Sequence, residues 1–191
     1  GGSLQFGFCE LQIEPLGRGE GFVFESEVQF QGLKEEFVRA VESGSRQAAE
    51  VGTLGGYSVV DIKVVLSRLE QRDESTPMAY RVCSANAFRA ALAEADSHLL
   101  EPIMRVDIST PEDFMGSIIG DITGRRGKIH SMTPKNNNQL IDAEVPLKSM
   151  FGYATEVRSL SQGRASFSME FKHYERVPER IESEILEHLG R

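Results

Sequence analysis

The chain has 191 residues, 40% of them apolar and 26% charged, with a net charge of −8. That length supports one large or two small domains, and the charge argues against nucleic-acid binding spread over the whole surface. No apolar run approaches the roughly 20 residues that span a bilayer, and no N-terminal stretch has the basic, apolar, small-residue order of a secretory signal. The charge is uneven: residues 1–100 carry 9 basic and 15 acidic side chains, whereas residues 101–177 carry 10 of each. RNA contact is therefore expected only from local patches, chiefly in the second half. Cys9 and Cys83 each fall at an expected core-facing position, which reads as two buried thiols in a reducing compartment, with a disulfide or metal pair as the alternative.

The glycine-rich residues 1–7 are not regular structure. Cys9, Leu11 and Ile13 alternate with Glu10, Gln12 and Glu14, the period of a half-buried strand. A loop holding Gly17, Gly19 and Gly21 leads to a second strand with Phe22, Phe24, Val28 and Phe30 on one face, and the two strands are expected to pair antiparallel. Residues 33–51 are helical, with Phe37, Val38, Val41 and Ala48 as the apolar stripe. Gly44 in mid-helix costs about 1 kcal/mol relative to alanine, so a close contact or a bend is expected there. Val60, Ile62, Val64 and Leu66 alternate as a strand, and residues 68–75 form a charged turn. Thr76-Pro77 is a helix start, with threonine as cap and proline first. That helix should run to about Ser97 and bury Tyr80, Cys83, Ala87, Phe88, Ala91 and Ala95.

Residues 99–102 mark a domain joint, after which the order is strand, helix, strand, strand, helix, strand. Met104, Val106 and Ile108 line the first strand. Thr110 and Pro111 open a helix as cap and first residue, with Glu112 and Asp113 in its first turn, and Phe114, Ile118, Ile119 and Ile122 on its buried side. A weak strand over 129–132 and a strand with Ile141, Ala143 and Val145 follow. In 146–171, Met150, Tyr153, Ala154, Val157 and Leu160 make a helical stripe, and Gly163 stops the helix by adopting positive φ. Ala165, Phe167, Met169 and Phe171 then form the core face of a strand. Ile181, Ile185, Leu186 and Leu189 belong to a short acidic tail helix. This βαββαβ order is the ferredoxin-like plan.

Few residues suggest chemistry. A phosphate-binding P-loop would need glycine at Ile122 and serine or threonine at Ile129. The glycines at 17, 19 and 21 lack a following helix. His98, His130, His173 and His188 have no partner at metal-ligand spacing, and no nucleophile elbow occurs. The paired acids Asp73-Glu74 and Glu112-Asp113 suit helix starts. Arg125, Arg126 and Lys128 sit on a glycine-flanked loop, where they suit phosphate binding or complement a helix C-terminus. Arg158 and Arg164 favour structural pairing. The second half shares the RNA-recognition-motif topology, but strands 103–109 and 139–145 carry no aromatic on which a base could stack.

Several strings resemble elongation factor G, the translocation GTPase of the ribosome. They are Gly55-Gly-Tyr-Ser-Val-Val-Asp61, Leu99-Leu-Glu-Pro-Ile-Met104, Ile119-Gly-Asp-Ile122 with Arg125-Arg-Gly127, Ala143-Glu-Val-Pro-Leu147 and Met150-Phe-Gly-Tyr-Ala-Thr155. The resemblance implies an α+β chain. Residues 1–100 would be domain IV, a ribosomal-protein-like βαβ fold with a left-handed crossover, against the usual handedness. Residues 101–191 would be the ferredoxin-like domain V with a C-terminal helix. It further implies a cytoplasmic, monomeric C-terminal fragment that is not itself an enzyme and binds no cofactor, with GTP and magnesium held by an absent N-terminal domain. Implied partners are the ribosome, through its RNA and proteins, and transfer and messenger RNA at the decoding region. The implied contact residues are Ser3, Leu4 and Gln5 in one tip loop of domain IV and Leu69, Glu70, Gln71 and Arg72 in the other, with Arg125, Arg126 and Lys128 in domain V. The tip departs from the family: Ser3 and Leu4 replace an arginine and a glycine, and the second loop is shorter and lacks its histidine. A paralogue specialised for ribosome recycling is one alternative, and a stand-alone α/β ligand-binding protein or enzyme is another.

Overall fold

In the computed structural model, which describes residues 4–29 and 32–189, the first half is built around its most apolar strand. Strand β3 (Ile62–Glu70) buries Val64, Val65 and Leu66 in succession, and such a run favours a central place with both edges paired. It lies between β1 (Phe8–Pro15), which is antiparallel to it, and β2 (Phe22–Ser26), which is parallel, in the order β1-β3-β2. This corrects the expectation that β1 and β2 pair with each other. Both alternate apolar and polar residues and tolerate an edge, whereas β3 does not. Phe30, expected on the second strand, lies outside the described residues.

The loop between β1 and β2 is closed by Asp61, just ahead of β3. Its Oδ1 accepts from the backbone N–H groups of Gly19 and Gly21 at 3.0 and 2.9 Å. Gly19 and Gly21 have φ of 85° and 74°, so the turn needs them. A β-bulge follows on β3. Glu10 pairs with Arg68 but Leu11 with Leu66, which leaves Ser67 as the extra residue, and its hydroxyl donates to Glu10 O at 3.2 Å. The bulge reverses the alternation, so Leu69, three positions after Leu66, faces the same core.

Helices α1 (Glu35–Val51) and α2 (Pro77–Glu94) cover this sheet. They approach at Gly44, where a Cβ would lie 2.2 Å from both Arg81 O and Ser84 Oγ. The mid-helix glycine thus marks a close contact, as its cost suggests. The Thr76 hydroxyl caps α2 by accepting from Ala79 N at 3.1 Å, with Pro77 in the first turn. The buried stripe of α2 is Tyr80, Ser84, Phe88 and Leu92. Cys83, Ala87 and Ala91 are only half-buried and Ala95 is exposed, because the helix turns small Ser84 toward Gly44.

Helix α5 (Glu179–Leu189) packs with this first unit. Glu182 Oε1 accepts from Leu99 N at 2.5 Å, and Leu189 lies against Gly55. By their contacts, residues up to Leu99 and from Pro178 onward form one unit, and Leu100–Val177 forms the other.

The second unit comprises β4 (Leu100–Thr110), α3 (Glu112–Gly124), β5 (Lys128–Lys135), β6 (Asn138–Pro146), a 3-10 turn (Leu147–Met150), α4 (Tyr153–Leu160) and β7 (Ser166–Arg176). Its sheet is antiparallel with order β5-β6-β4-β7, the ferredoxin-like arrangement. Val106, Ile108, Ile118, Ile122, Ile141 and Tyr153 are all but fully buried in its core. Three local expectations change. Thr110 does not cap α3, because it pairs with Gln139 as the last residue of β4. The expected helix through 150–160 is broken at Gly152, which has φ of 77°. Met169 and Phe171 are 40% and 53% exposed rather than core. They lie on an edge strand of 11 residues, about 36 Å long, and the 8 residues of α4 reach only about 12 Å. Gly163 ends α4 as expected, with φ of 77° and its N–H on Arg158 O at 2.8 Å.

Candidate nucleic-acid interface

Two segments far apart in sequence meet at one end of the first unit. Phe6 forms an isolated parallel bridge with Ser75, and Phe6 N donates to Glu74 O at 3.1 Å. The Thr76 hydroxyl donates to Gln5 Oε1 at 3.3 Å. The Arg72 guanidinium lies 3.8 Å from the centre of the Phe6 ring, close enough for cation–π attraction. From beneath, the Tyr80 hydroxyl donates to Glu70 O at 2.5 Å, which ties the end of β3 to α2.

The structure thus brings Leu4, Gln5, Gln71 and Arg72 to one exposed surface, with Leu4 83% exposed. Gln71 Oε1 also accepts from Lys34 N at 3.1 Å. Glu70 is half-buried and pairs with Arg68 at 2.5 Å and Arg72 at 3.8 Å. Leu69 is corrected: it is 7% exposed and part of the core, because the bulge at Ser67 turns it inward, so its side chain offers no contact surface. Ser3 lies outside the described residues. Asp73 and Glu74 are exposed beside Arg72, so this surface has no local cationic excess. What such a surface offers a partner is hydrogen bonding more than charge attraction.

In the second unit, the chain leaves α3 through Arg125, Arg126 and Gly127, with Gly127 N on Ile122 O at 2.9 Å. A Cβ at Gly127 would meet Ile122 O and Cγ2 at 2.6 Å, which explains the glycine. Arg125 turns inward. Its Nε meets Asp121 Oδ2 at 2.7 Å, its Nη1 donates to Ser149 O at 2.6 Å, and its guanidinium sits 5.1 Å over the Tyr153 ring. Burial, and then the nearby Asp121 charge, raise the Tyr153 hydroxyl well above its ordinary pKa. Arg126, at φ of 65°, pairs with Glu101. Lys128 pairs with Glu175 at 3.4 Å and keeps 65% of its side chain exposed. Of the two readings of this loop, structural pairing therefore describes Arg125, whereas Lys128 remains available to an outside phosphate.

Sequence reasoning missed Phe151. It is 78% exposed, beside Gly152 and exposed Lys148, on the loop that Arg125 holds through Ser149 O. An exposed aromatic next to a cation suits stacking on a base. The available signal was its place outside the Met150–Tyr153–Val157 stripe.

Arg164 packs over the Phe114 ring at 4.8 Å, a structural pairing as expected. Among the described residues, no group of three or more His, Cys, Asp or Glu is placed to hold a metal ion, and no helix is long and apolar enough to cross a membrane.

Comparison with known proteins covers both halves. A family model described as elongation factor G, domain IV, matches residues 1–96, and one described as elongation factor G C-terminus matches residues 98–185. The crystal structure of ttk003000868 from Thermus thermophilus superposes with a TM-score of 0.89 at 28% identity, over 97% of this chain and 28% of that one. The chain therefore spans less than a third of that protein's length.

Proposed function

The chain belongs to the elongation factor G family, and from that premise we propose that it is the C-terminal, ribosome-binding part of an elongation factor G-like GTPase acting in translocation of transfer and messenger RNA. The observation that carries this reading is the meeting of residues 4–7 with 70–76, the two segments assigned to the tip, through the Phe6–Ser75 bridge and the Arg72–Phe6 stack. The surface they form is presented to the decoding region, and Lys128, Lys148 and Phe151 serve a second contact with ribosomal RNA.

GTP and magnesium are assigned to a preceding part of the parent protein. This chain does not fit them. Gly127-Lys128 has buried Ile122 in place of the first P-loop glycine, and the donors of Gly19 and Gly21 are directed at Asp61. The chain's part in the GTPase cycle is mechanical, by occupying and leaving RNA surfaces.

The test is binding of the chain to purified ribosomes across a salt series. Binding should weaken steeply with salt. Lys128→Glu should lower affinity and flatten the log–log slope by about 0.7–0.9 for each phosphate no longer neutralised. Arg72→Ala should weaken binding with little change of slope, since Glu70 already offsets its charge and its part is to hold Phe6 in place. Failure of the chain to bind ribosomes at low salt would remove the reading. The recycling alternative is favoured by one observation, the acidic surroundings of Arg72, which suit an RNA duplex poorly. A parent protein that splits ribosomes but does not restore translocation would decide for it.

A further inference from the structure

The geometry points to a redox-responsive dithiol, Cys9 on β1 and Cys83 on α2, that a peroxide converts to a disulfide across the first unit. The two sulfurs are 3.6 Å apart although 74 positions separate them in sequence, and both cysteines are free. A disulfide needs about 2.05 Å, so the sulfurs must close by about 1.5 Å to bond. The backbones are already close. A Cβ on Gly7 would lie 2.9 Å from Ala79 C and O, and only glycine lets the start of β1 come so near α2.

The two thiols differ in access. Cys9 is buried at 8% exposure, whereas Cys83 is half-buried and lines an open groove of about 670 Å³ with Gln5, Gly7, Ala79, Val82 and Asn86. A small peroxide entering this groove meets Cys83 first. Burial, and next the neighbouring Cys83, push the Cys9 thiol far above its ordinary pKa, so Cys9 stays protonated until a partner is made for it.

Cys83 loses its proton to solvent, and its sulfur attacks one peroxide oxygen. The O–O bond breaks, an S–OH forms, and the departing hydroxide takes the Cys9 proton to give water. The Cys9 sulfur then attacks the Cys83 sulfur, the S–S bond forms, and the S–O bond breaks to release hydroxide, which solvent protonates. Two thiols are oxidised by two electrons and one peroxide is reduced to two waters. An external dithiol reverses the bond. The closed form holds the segment at Gln5–Gly7 against α2, whose first turn Thr76 caps.

The test exposes the reduced full chain to hydrogen peroxide and reads intact mass and a non-reducing peptide map. The expected product is a monomer lighter by two hydrogens, with the Cys9 and Cys83 peptides linked, a raised urea midpoint for the first unit, and full reversal by dithiothreitol. In Cys9→Ser, dimedone should trap Cys83 as a sulfenic acid. In Cys83→Ser, Cys9 should stay unmodified under the same exposure. Either of two wild-type outcomes overturns the proposal whatever the variants do: Cys83 running on to sulfinic acid without a link, or disulfides that form only between copies.

Discussion

Replacing Arg125 with alanine separates a structural arginine from an RNA-binding one. The side chain is 19% exposed and makes charged hydrogen bonds to Asp121 and Ser149 O, with the Tyr153 ring beneath it. Two charge-assisted hydrogen bonds at about 1.5 kcal/mol each and a cation–π contact of about 0.5 kcal/mol sum to about 3.5 kcal/mol. Water reaching the vacated space recovers part of this for Asp121 and Ser149 O, so the net loss should be about 2 kcal/mol, roughly a 30-fold fall in the folded-to-unfolded ratio. The assay is urea unfolding with hydrogen exchange read separately at Val106 and Ile141 in the second unit and at Val41 and Leu66 in the first. Protection should fall in the second unit alone. Arg125→Lys should recover less than half of it, because one ammonium cannot serve Asp121 and Ser149 O in the fork geometry. Lys128→Ala, at an exposed pair, should stay within about 0.5 kcal/mol. A loss below about 0.5 kcal/mol for Arg125→Ala, or an equal loss in both units, would refute the inward-facing role.

Gly44→Ala gains about 1 kcal/mol of helix propensity but drives a methyl group into Arg81 O and Ser84 Oγ at 2.2 Å, an overpacking cost of about 3 kcal/mol. The first unit should lose about 2 kcal/mol in urea melts, while Gly116→Ala, with open space around it, should stabilise α3 by about 0.5–1 kcal/mol. Glu144 accepts from Lys172 and lies 2.9 Å from His130 Nε2, and the Lys172 hydrogen bond holds its carboxyl below the ordinary carboxylate pKa. Its contribution is therefore complete above the unfolded value of about 4.3 and is lost as pH falls through the lower folded value. Urea midpoints of the second unit should drop less between about pH 5 and pH 2 in Glu144→Gln than in the unsubstituted chain; an identical drop would count against the pairing.

The sequence spoke clearly where the deciding interaction was local. The Thr76-Pro77 start, the Gly163 stop and the βαββαβ order depend on neighbours a few residues apart, and all three appear in the structure. Gly44 was legible because a costly residue in a helix needs a tertiary reason. Pairing of β1 with β3 rather than β2 was hidden, since alternation states which face is buried and not which strand lies alongside. The orientation of Leu69 was hidden for a related reason: the single extra residue at Ser67 changes every later side chain's face, and no residue type announces it. At the candidate interface, the family likeness pointed to both tip segments, but the inward turn of Arg125 depends on Ser149 O, 24 positions away. Phe151 was legible only through its place outside the Met150–Tyr153–Val157 stripe, which frees it from the core without saying how exposed it is.

The return of α5 to the first unit also sets an order in time. When Leu99 leaves the ribosome that makes this chain, its N–H has no Glu182 to receive it, and Gly55 has no Leu189 against it. The second unit must be synthesised before either contact can close, a delay of about 4–16 s at typical elongation rates. The unit begun first is thus completed last, and through that interval the Leu99 N–H lacks the Glu182 acceptor it has in the folded chain. A helper that binds nascent chains would find its longest-lived target there, while Leu100–Val177 can fold as soon as it emerges.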